Sequence, residues 1–174
     1  KGALVADLCT GSGCIAISLL RLRPDLRAVA LELYPDTLAL ATENAARNGV
    51  GDRFTPIEAD LLTNGVERLS PFVPFDAILS NPPYIPSQVV DGLGPELFFE
   101  PRAALDGGDD GLTFYRAILR DYVALLKPQG RLLLEIGYDQ AEALTELTHS
   151  HTPDATVKIH RDLGGNDRVV DVCL

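Results

Sequence analysis

Short apolar runs bounded by turn-forming residues alternate along the chain with segments whose apolar residues recur at helical spacing. The apolar runs predict buried strands at residues 3–8, 28–33, 54–58, 75–80 and 131–136. The helical spacing predicts helices at residues 14–23, 35–48, 112–126 and 140–150. Strands that alternate with helices in this way predict an α/β fold, with a mostly parallel sheet and helices on both faces.

The pattern changes towards the C-terminal end, where two further predicted strands, 155–160 and 168–173, have no helix between them. The turn-forming sequence Gly164-Gly165-Asn166 joins them, which predicts a hairpin and an antiparallel final strand at or near the sheet edge. Residues 85–110 show no clear periodicity, and so long a connection in a compact domain is typically functional.

Composition narrows the possible functions. The 174 residues suit one domain with one core, and the net charge of −10 argues against binding to bare nucleic acid, which requires a cationic surface. The longest apolar runs are too short to span a bilayer, so we expect no membrane association. The spacing of Cys9, Cys14 and Cys173 fits neither a disulfide framework nor a zinc site, so we expect no metal and a cytoplasmic location.

A glycine-rich turn, residues 9–13 with the sequence C-T-G-S-G, follows the first predicted strand. Glycines there allow the backbone to approach a ligand at the carboxyl end of the sheet. Glu32 lies near the end of the second strand, where a carboxylate can accept two hydrogen bonds from a ribose diol. These features predict nucleotide binding. The spacing of Gly11, Gly13 and Ala16 also satisfies the dinucleotide pattern, so a nicotinamide oxidoreductase is an alternative.

The sequence N-P-P-Y, residues 81–84, follows the fourth predicted strand. Its prolines give a rigid backbone without N–H groups, so the carbonyls of Asn81 and Pro82 become fixed acceptors beside the Asn81 side-chain oxygen. With the ring of Tyr84, these acceptors suit a planar group that bears NH₂. They would raise electron density on a weakly nucleophilic amide nitrogen and stabilise the positive charge that grows during methyl transfer. An oxidoreductase would need a hydride-site acid or base, which we do not find.

These motifs resemble those of class I methyltransferases that act on planar amino groups. Over essentially the whole chain they resemble the peptide chain release factor glutamine methyltransferase family. The resemblance rests on D-L-C-T-G-S-G-C-I-A, A-D-L, S-N-P-P-Y-I-P, E-P-R-A-A-L-D-G-G-D-D-G-L, L-K-P-Q-G-R-L-L-L-E-I-G and G-N-D-R-V-V. It implies a Rossmann-like fold with a seven-stranded sheet. It also implies methyl transfer from S-adenosylmethionine to a glutamine side-chain amide in a release factor, with S-adenosylhomocysteine as product.

The resemblance also implies residue roles. The glycine-rich turn would bind the methionine part of the cofactor, Glu32 its ribose, and Asp60 with Leu61 its adenine. The cofactor-binding set is then Cys9, Thr10, Gly11, Ser12, Gly13, Glu32, Asp60, Leu61 and Asn81. The residues that hold the target amide are Asn81, Pro82, Pro83 and Tyr84. The chain departs from the family at Cys9 and Glu32, where Gly and Asp are common, and Cys9 makes the dihedral angles of the turn an open question.

Other functions stay open. A glutamine of a large-subunit ribosomal protein is one alternative substrate, because C-T-G-S-G is similar to the sister enzymes that modify it. An adenine amino group of nucleic acid is another, and a non-catalytic binding module is a third. We expect residues 1–174 to form one methyltransferase domain that lacks the family's N-terminal substrate-recognition domain. His149 and His151 are expected at the surface, Asp109 and Asp110 at a helix entry, and Phe98 and Phe99 in the core or in a pocket wall.

Overall fold

The structure, a computed structural model, describes residues 2–94 and 101–174. Seven strands form one sheet in the order β3-β2-β1-β4-β5-β7-β6. They are β1 (Leu4–Leu8), β2 (Arg27–Glu32), β3 (Phe54–Glu58), β4 (Phe75–Ser80), β5 (Leu126–Glu135), β6 (Thr156–Arg161) and β7 (Asp167–Cys173). Strands β1 to β5 pair in parallel, whereas β7 runs antiparallel to both β5 and β6. The predicted mixed sheet is therefore confirmed, with the antiparallel strand one position in from the edge.

The helices lie between the strands, as the alternation of patterns predicts. They are α1 (Cys14–Leu22), α2 (Pro35–Arg47), α3 (Gly65–Leu69), α4 (Ser87–Val90), α5 (Thr113–Ala117) and α6 (Ala141–His151). The short helices α3 and α4 were not predicted, because so few residues show no periodicity. No described helix is long and apolar enough to cross a membrane.

Two predicted elements have different bounds. The helix predicted at 112–126 is α5 followed by a π-helical turn, Ile118–Tyr122, and a 3₁₀ turn, Val123–Leu125. Strand β5 begins at Leu126, although Pro128 suggested a later start. Gln129 has a positive φ of 62°, and the pairing of β4 with β5 is irregular there, so the chain bulges past the proline and continues as strand.

Alternating side chains along the strands supply two cores, one on each face of the sheet. On one face Val5, Ala28 and Ala30 pack with residues of α1 and α2, including Ile17 and Ala41. The other face forms the larger core, which includes Leu8, Leu31, Ile78, Leu132, Leu134, Tyr115 and Tyr122. The pairings Leu8–Leu31 and Leu8–Ser80 align the carboxyl ends of β1, β2 and β4, so the loops after these strands meet at one edge of the sheet.

Candidate active site

A cavity of about 460 Å³ lies at this carboxyl edge, in the size range of small-molecule sites. Its walls include most of the residues that the sequence singles out: Cys9, Gly11, Ser12, Glu32, Asp60, Leu61, Asn81 and Pro83. In the part of the chain that the structure describes, Thr10, Gly13, Pro82 and Tyr84 are not among the lining residues. The fold thus brings the glycine-rich turn and the N-P-P-Y sequence to one cavity, although they are far apart in the chain.

Two glycines of the glycine-rich turn, Gly11 and Gly13, have positive φ but different surroundings. Gly11 has a φ of +56°, and a Cβ placed on it would meet no heavy atom within 4 Å, so its backbone is open on that side. Gly13 has a φ of +83°, and its Cβ would lie 2.7 Å from Cδ1 of Ile17. Gly13 therefore permits the close packing of the turn on α1, which explains its absence from the cavity wall.

Beneath the turn lies Asp7, a buried carboxylate that the sequence analysis did not single out. Its Oδ2 accepts hydrogen bonds from Oγ1 of Thr10 at 2.6 Å and from the backbone N–H of Ala16 at 3.2 Å. Its Oδ1 is buried without a hydrogen-bond partner among the described residues. Burial raises the pKa of Asp7 to about 6, and the charge of Glu32 adds to this effect. The available signal was an acidic residue inside an otherwise apolar strand.

Cys9 takes the left-handed backbone conformation that glycine adopts freely, with a φ of 57°. Cys9 lines the cavity and is half-buried. Burial raises the pKa of Cys9 to about 12, with further contributions from the negative charges of Glu32 and Asp7. The thiol is therefore protonated, and weakly nucleophilic, at neutral pH.

Glu32 closes the turn from the end of β2. Its Oε2 accepts the backbone N–H of Gly11 at 3.0 Å, and its Oε1 accepts that of Tyr34 at 3.1 Å. The side chain is buried at the cavity wall. Because a carboxylate has about four acceptor positions, these two bonds leave room for two more from a ligand diol.

Asp60 and Leu61 are fixed by contacts from two sides. The Asp60 backbone N–H donates to Oδ1 of Asn64 at 2.9 Å, and Oδ1 of Asp60 accepts the N–H of Leu62 at 2.8 Å. The Leu61 carbonyl accepts the hydroxyl of Tyr122 at 2.7 Å. The π-helical turn that carries Tyr122 thus supports the cavity wall from the core.

The proline turn, residues 81–84, follows β4. Before it, Oγ of Ser80 donates to the Leu8 carbonyl at 2.7 Å. After it, the Ile85 N–H donates to the Leu105 carbonyl at 2.9 Å, and the Ile85 carbonyl accepts the Gly107 N–H at 2.8 Å. Asn81 is exposed at the cavity, Pro82 and Pro83 are buried, and Tyr84 is half-buried against the larger core.

Residues 101–114 complete the cavity, and sequence reasoning assigned none of them to its wall. The lining residues from this segment are Pro101, Ala103, Ala104 and Phe114. The available signal was the E-P-R-A-A sequence, which belongs to the motifs shared with the family. Asp106 ties the segment to α4, since its Oδ1 accepts Oγ of Ser87 at 2.6 Å, and this bond is the leading cause of its lowered pKa. Phe98 and Phe99 lie outside the described residues.

The residues that we expected at a helix entry or at the surface, and not in a functional site, lie where the sequence predicts them. Asp110 precedes α5 as predicted, where its Oδ1 accepts the N–H of Leu112 at 3.1 Å and pairs with Arg116 at 2.9 Å. The Arg116 hydrogen bond lowers the pKa of Asp110 to about 2. His149 and His151 are exposed on α6. Within residues 2–94 and 101–174, no group of three or more metal-binding side chains is found.

Known proteins resemble this chain in sequence and in fold. Residues 1–111 match the methyltransferase small domain family. The release factor glutamine methyltransferase of Cereibacter sphaeroides is 45% identical over 173 residues, a match that covers 99% of this chain and 60% of that protein. The Moorella thermoacetica protein of the same name is 40% identical over 166 residues, covering 94% of this chain and 56% of its own length. The chain therefore spans less than two thirds of these relatives, and they confirm the resemblance predicted from the motifs.

Two solved structures illustrate the likeness in fold. TrmN from Thermus thermophilus is 26% identical with a TM-score of 0.64, and the match covers 99% of this chain and 44% of that one. A methyltransferase from Pyrococcus furiosus has a TM-score of 0.69 at 19% identity, covering 99% and 75% of the two chains. The second likeness shows the fold alone.

Proposed function

We propose that this chain, which belongs to the methyltransferase small domain family, transfers a methyl group from S-adenosylmethionine to the side-chain amide nitrogen of a glutamine in a peptide chain release factor. The observation that carries the proposal is that Asn81 lines the same cavity as Gly11 and Glu32. The residues proposed for the methyl donor and the residue proposed to hold the amide would thus share one cavity. The names of the curated relatives support the choice of substrate.

The residues of the cavity fit the proposed cofactor. The open backbone at Gly11 would accommodate its amino acid part, the free acceptor positions of Glu32 its ribose diol, and the wall at Asp60 and Leu61 its adenine. Apolar side chains of Leu33 and Leu40 on the same wall suit a flat ring. When bound, S-adenosylmethionine supplies an electrophilic methyl group on a positively charged sulfur.

The proline turn would prepare the amide. Asn81, which lines the cavity, would offer its side-chain oxygen to one N–H of a primary amide. The carbonyl of Pro82, a residue that is buried beside the cavity wall, is the proposed acceptor for the other N–H. Fixed acceptors hold the nitrogen lone pair towards the methyl group and stabilise the positive charge that grows on nitrogen. No base has to act before the transfer, because the product cation is strongly acidic and loses its proton readily.

Cys9 is a potential nucleophile at the proposed methyl-donor site, because it belongs to the glycine-rich turn that would bind the cofactor. A thiolate there would compete with the weakly nucleophilic amide for the methyl group. Burial and the neighbouring carboxylates keep the thiol protonated, with a pKa of about 12.

The proposed partner is a protein rather than a nucleic acid. The net charge of −10 opposes binding to a polyanion. A release factor as substrate supports a cytoplasmic location for the proposed reaction. The test is to incubate the chain with S-adenosylmethionine and a release factor, a large-subunit ribosomal protein or duplex DNA, and to measure intact masses. We expect one methyl group on the release factor. Methylation of the ribosomal protein or of DNA, but not of the release factor, would refute the proposed substrate.

The cofactor is tested separately by thermal shift. S-adenosylmethionine and S-adenosylhomocysteine should each raise the Tm as their concentration increases, because they bind the folded state. Equal or greater stabilisation by NAD would favour the dinucleotide interpretation of the glycine-rich turn.

A further inference from the structure

We propose that Gln140 is a positioning residue that locks the proline turn in the geometry required for methyl transfer, an inference that rests on the proposed function. Gln140 lies in the connection between β5 and α6, immediately before α6, outside the glycine-rich and proline turns. Its side chain is buried, with 9% of its surface exposed. It reaches the far end of the proline turn without lining the cavity.

Every hydrogen-bonding group of the Gln140 side chain is used. Its Nε2 donates to the Tyr84 carbonyl at 3.0 Å and to the Gly111 carbonyl at 3.3 Å. Its Oε1 accepts the backbone N–H of Gly137 at 2.9 Å. Among side chains of this length, only that of glutamine has two N–H donors on one nitrogen and an acceptor oxygen on the same carbon. The site is therefore specific for glutamine.

The proline turn needs an anchor of this kind because it cannot supply its own. Pro82 and Pro83 have no N–H groups, so two consecutive residues of the turn have no backbone donor with which to bind the fold. Ser80 fixes the chain before the turn through the Leu8 carbonyl. Gln140 fixes the carbonyl of Tyr84 after it. The proposed acceptors on Asn81 and Pro82 lie between these two anchors.

Close packing around Gln140 shows how little movement the site allows. A Cβ on Gly111 would overlap the Tyr84 carbonyl oxygen and lie 2.8 Å from Nε2 of Gln140. A Cβ on Gly107 would lie 2.7 Å from Cα of Tyr84. The segments around Gly107 and Gly111 therefore press directly against the proline turn, and Gln140 ties them to it. Its removal would take away the side-chain tie between Tyr84 and Gly111, and leave the backbone bonds of Ile85 as the link between the turn and this segment.

The test compares Gln140→Met with Gln140→Glu and with the control Gln88→Met, which alters an exposed glutamine of α4. Methionine keeps the length and most of the volume of glutamine but makes no comparable hydrogen bonds. Glutamate keeps an acceptor for Gly137 yet turns a negative oxygen towards two carbonyl oxygens. At saturating cofactor we expect kcat for methyl transfer to fall by about tenfold to a hundredfold in Gln140→Met, since small displacements of reacting groups cost rate on this scale.

The separation of kcat from cofactor affinity distinguishes positioning from general destabilisation. We expect the Kd of S-adenosylmethionine to be unchanged in Gln140→Met, a greater loss of kcat in Gln140→Glu, and no change in Gln88→Met. Full kcat in Gln140→Met would overturn the proposal, because packing without hydrogen bonds would then suffice. A parallel loss of cofactor affinity and of Tm would overturn it as well, because the role would then be structural.

The hydrogen bonds of Gln140 to Tyr84, Gly111 and Gly137 form a clamp on the proline turn. Amide hydrogen exchange tests this clamp without any substrate. In Gln140→Met the N–H of Gly137 and the N–H of Gly107 should exchange faster than in the parent, while amides of β1 and α1 remain unchanged. If the parent chain methylates no glutamine but this exchange pattern appears, the proposed function fails and the clamp stands. If methyl transfer is found and the exchange rates do not change, the clamp fails and the proposed function stands.

Discussion

The two turns that face the cavity are built in different ways. The glycine-rich turn is held by neighbours within the first 44 residues: Asp7 beneath it, Glu32 beside it, and Nδ2 of Asn44, which donates to the Ser12 carbonyl at 3.0 Å. The proline turn depends on contacts from distant parts of the chain, including Leu8, Gly107 and Gln140. The proposed cofactor side is therefore encoded locally, whereas the proposed amide side requires most of the fold.

The two turns also differ in the groups that they present. Around Gly11 the backbone is open and its N–H is donated to Glu32, and the carboxylates of Glu32 and Asp60 lie on the cavity wall. The proline turn presents acceptors, because Pro82 and Pro83 have no N–H groups. One side suits a ligand with a diol and charged ends, and the other suits a neutral NH₂ group. Substitutions on the two sides should therefore change different measured quantities.

The largest effect is expected for Asn81→Ala. Loss of one preorganised acceptor typically costs about 3–4 kcal/mol, so single-turnover methyl transfer should slow by about a hundredfold to a thousandfold. The Tm should stay close to the parent, because Asn81 is exposed, and the change in the Kd of the cofactor should be smaller than the change in rate. The control Asn48→Ala changes an exposed asparagine at the end of α2 and should have no effect.

Asn81→Asp asks whether charge or geometry matters more at the same position. A carboxylate would favour the growing positive charge, but it lacks the NH₂ group and would place its acceptors differently. We expect geometry to dominate, with slower transfer than in the parent. A rate equal to the parent's would show that the electrostatic contribution is sufficient by itself.

Glu32→Ala should weaken cofactor binding and leave the transfer rate largely unchanged, and its effect should be smaller than that of Asn81→Ala. Hydrogen bonds to a charged group contribute about 1.5–3 kcal/mol, so the Kd of S-adenosylmethionine should rise by about tenfold to a hundredfold. At saturating cofactor the transfer rate should approach that of the parent. The control Glu43→Ala removes the same charge from the exposed face of α2. Unchanged cofactor affinity in Glu32→Ala would contradict the proposal that the cavity wall at Glu32 binds the cofactor.

A smaller effect is expected for Gly111→Ala, compared with Gly49→Ala. Both glycines have positive φ, +74° and +68°, so each substitution should cost about 1–2 kcal/mol of folding free energy. Only the Cβ at Gly111 would overlap the Tyr84 carbonyl oxygen, since nothing lies within 4 Å of the position at Gly49. Chemical denaturation should show a loss for both variants, whereas slower methyl transfer should appear only for Gly111→Ala.

The smallest effect on transfer is expected for Asp7→Asn, which changes how stability depends on pH. Burial raises the pKa of Asp7 from 3.8 to about 6, so between these values the unfolded chain has already lost the proton that the folded chain keeps. The free energy of unfolding therefore falls as pH rises through this window, by about 1.4 kcal/mol for each unit of pKa difference. Denaturation at several pH values should show a flatter profile in Asp7→Asn than in the control Asp52→Asn.

The same contrast explains which parts of the molecule the sequence could predict. Strand and helix positions around the glycine-rich turn follow from periodicity and from local signals such as Pro35 and the glycines, and the structure confirms them within a residue or two. The position of Glu32 beside the turn likewise follows from its place at the end of β2, and its contact with a ribose stays a prediction. Local patterns suffice where the partners are close in sequence.

The amide side shows why the remainder could not be predicted. Nothing in the sequence pairs Gln140 with Tyr84 or places Pro101 on the wall of the cavity, because both contacts depend on how the complete sheet brings distant loops together. Asp7 was overlooked for a related reason, since burial within a strand sets its pKa. The bulge at Gln129 depends likewise on the pairing of β4 with β5.

The most direct test of the central claim identifies the methylated atom. A release factor is incubated with the chain and S-adenosylmethionine whose methyl group carries deuterium, and tandem mass spectrometry locates the label. The account predicts label on the side-chain amide nitrogen of one glutamine, resistant to mild base, and almost none with Asn81→Ala. Label on a base-labile carboxylate ester, on a lysine or on a nucleic acid base would contradict it.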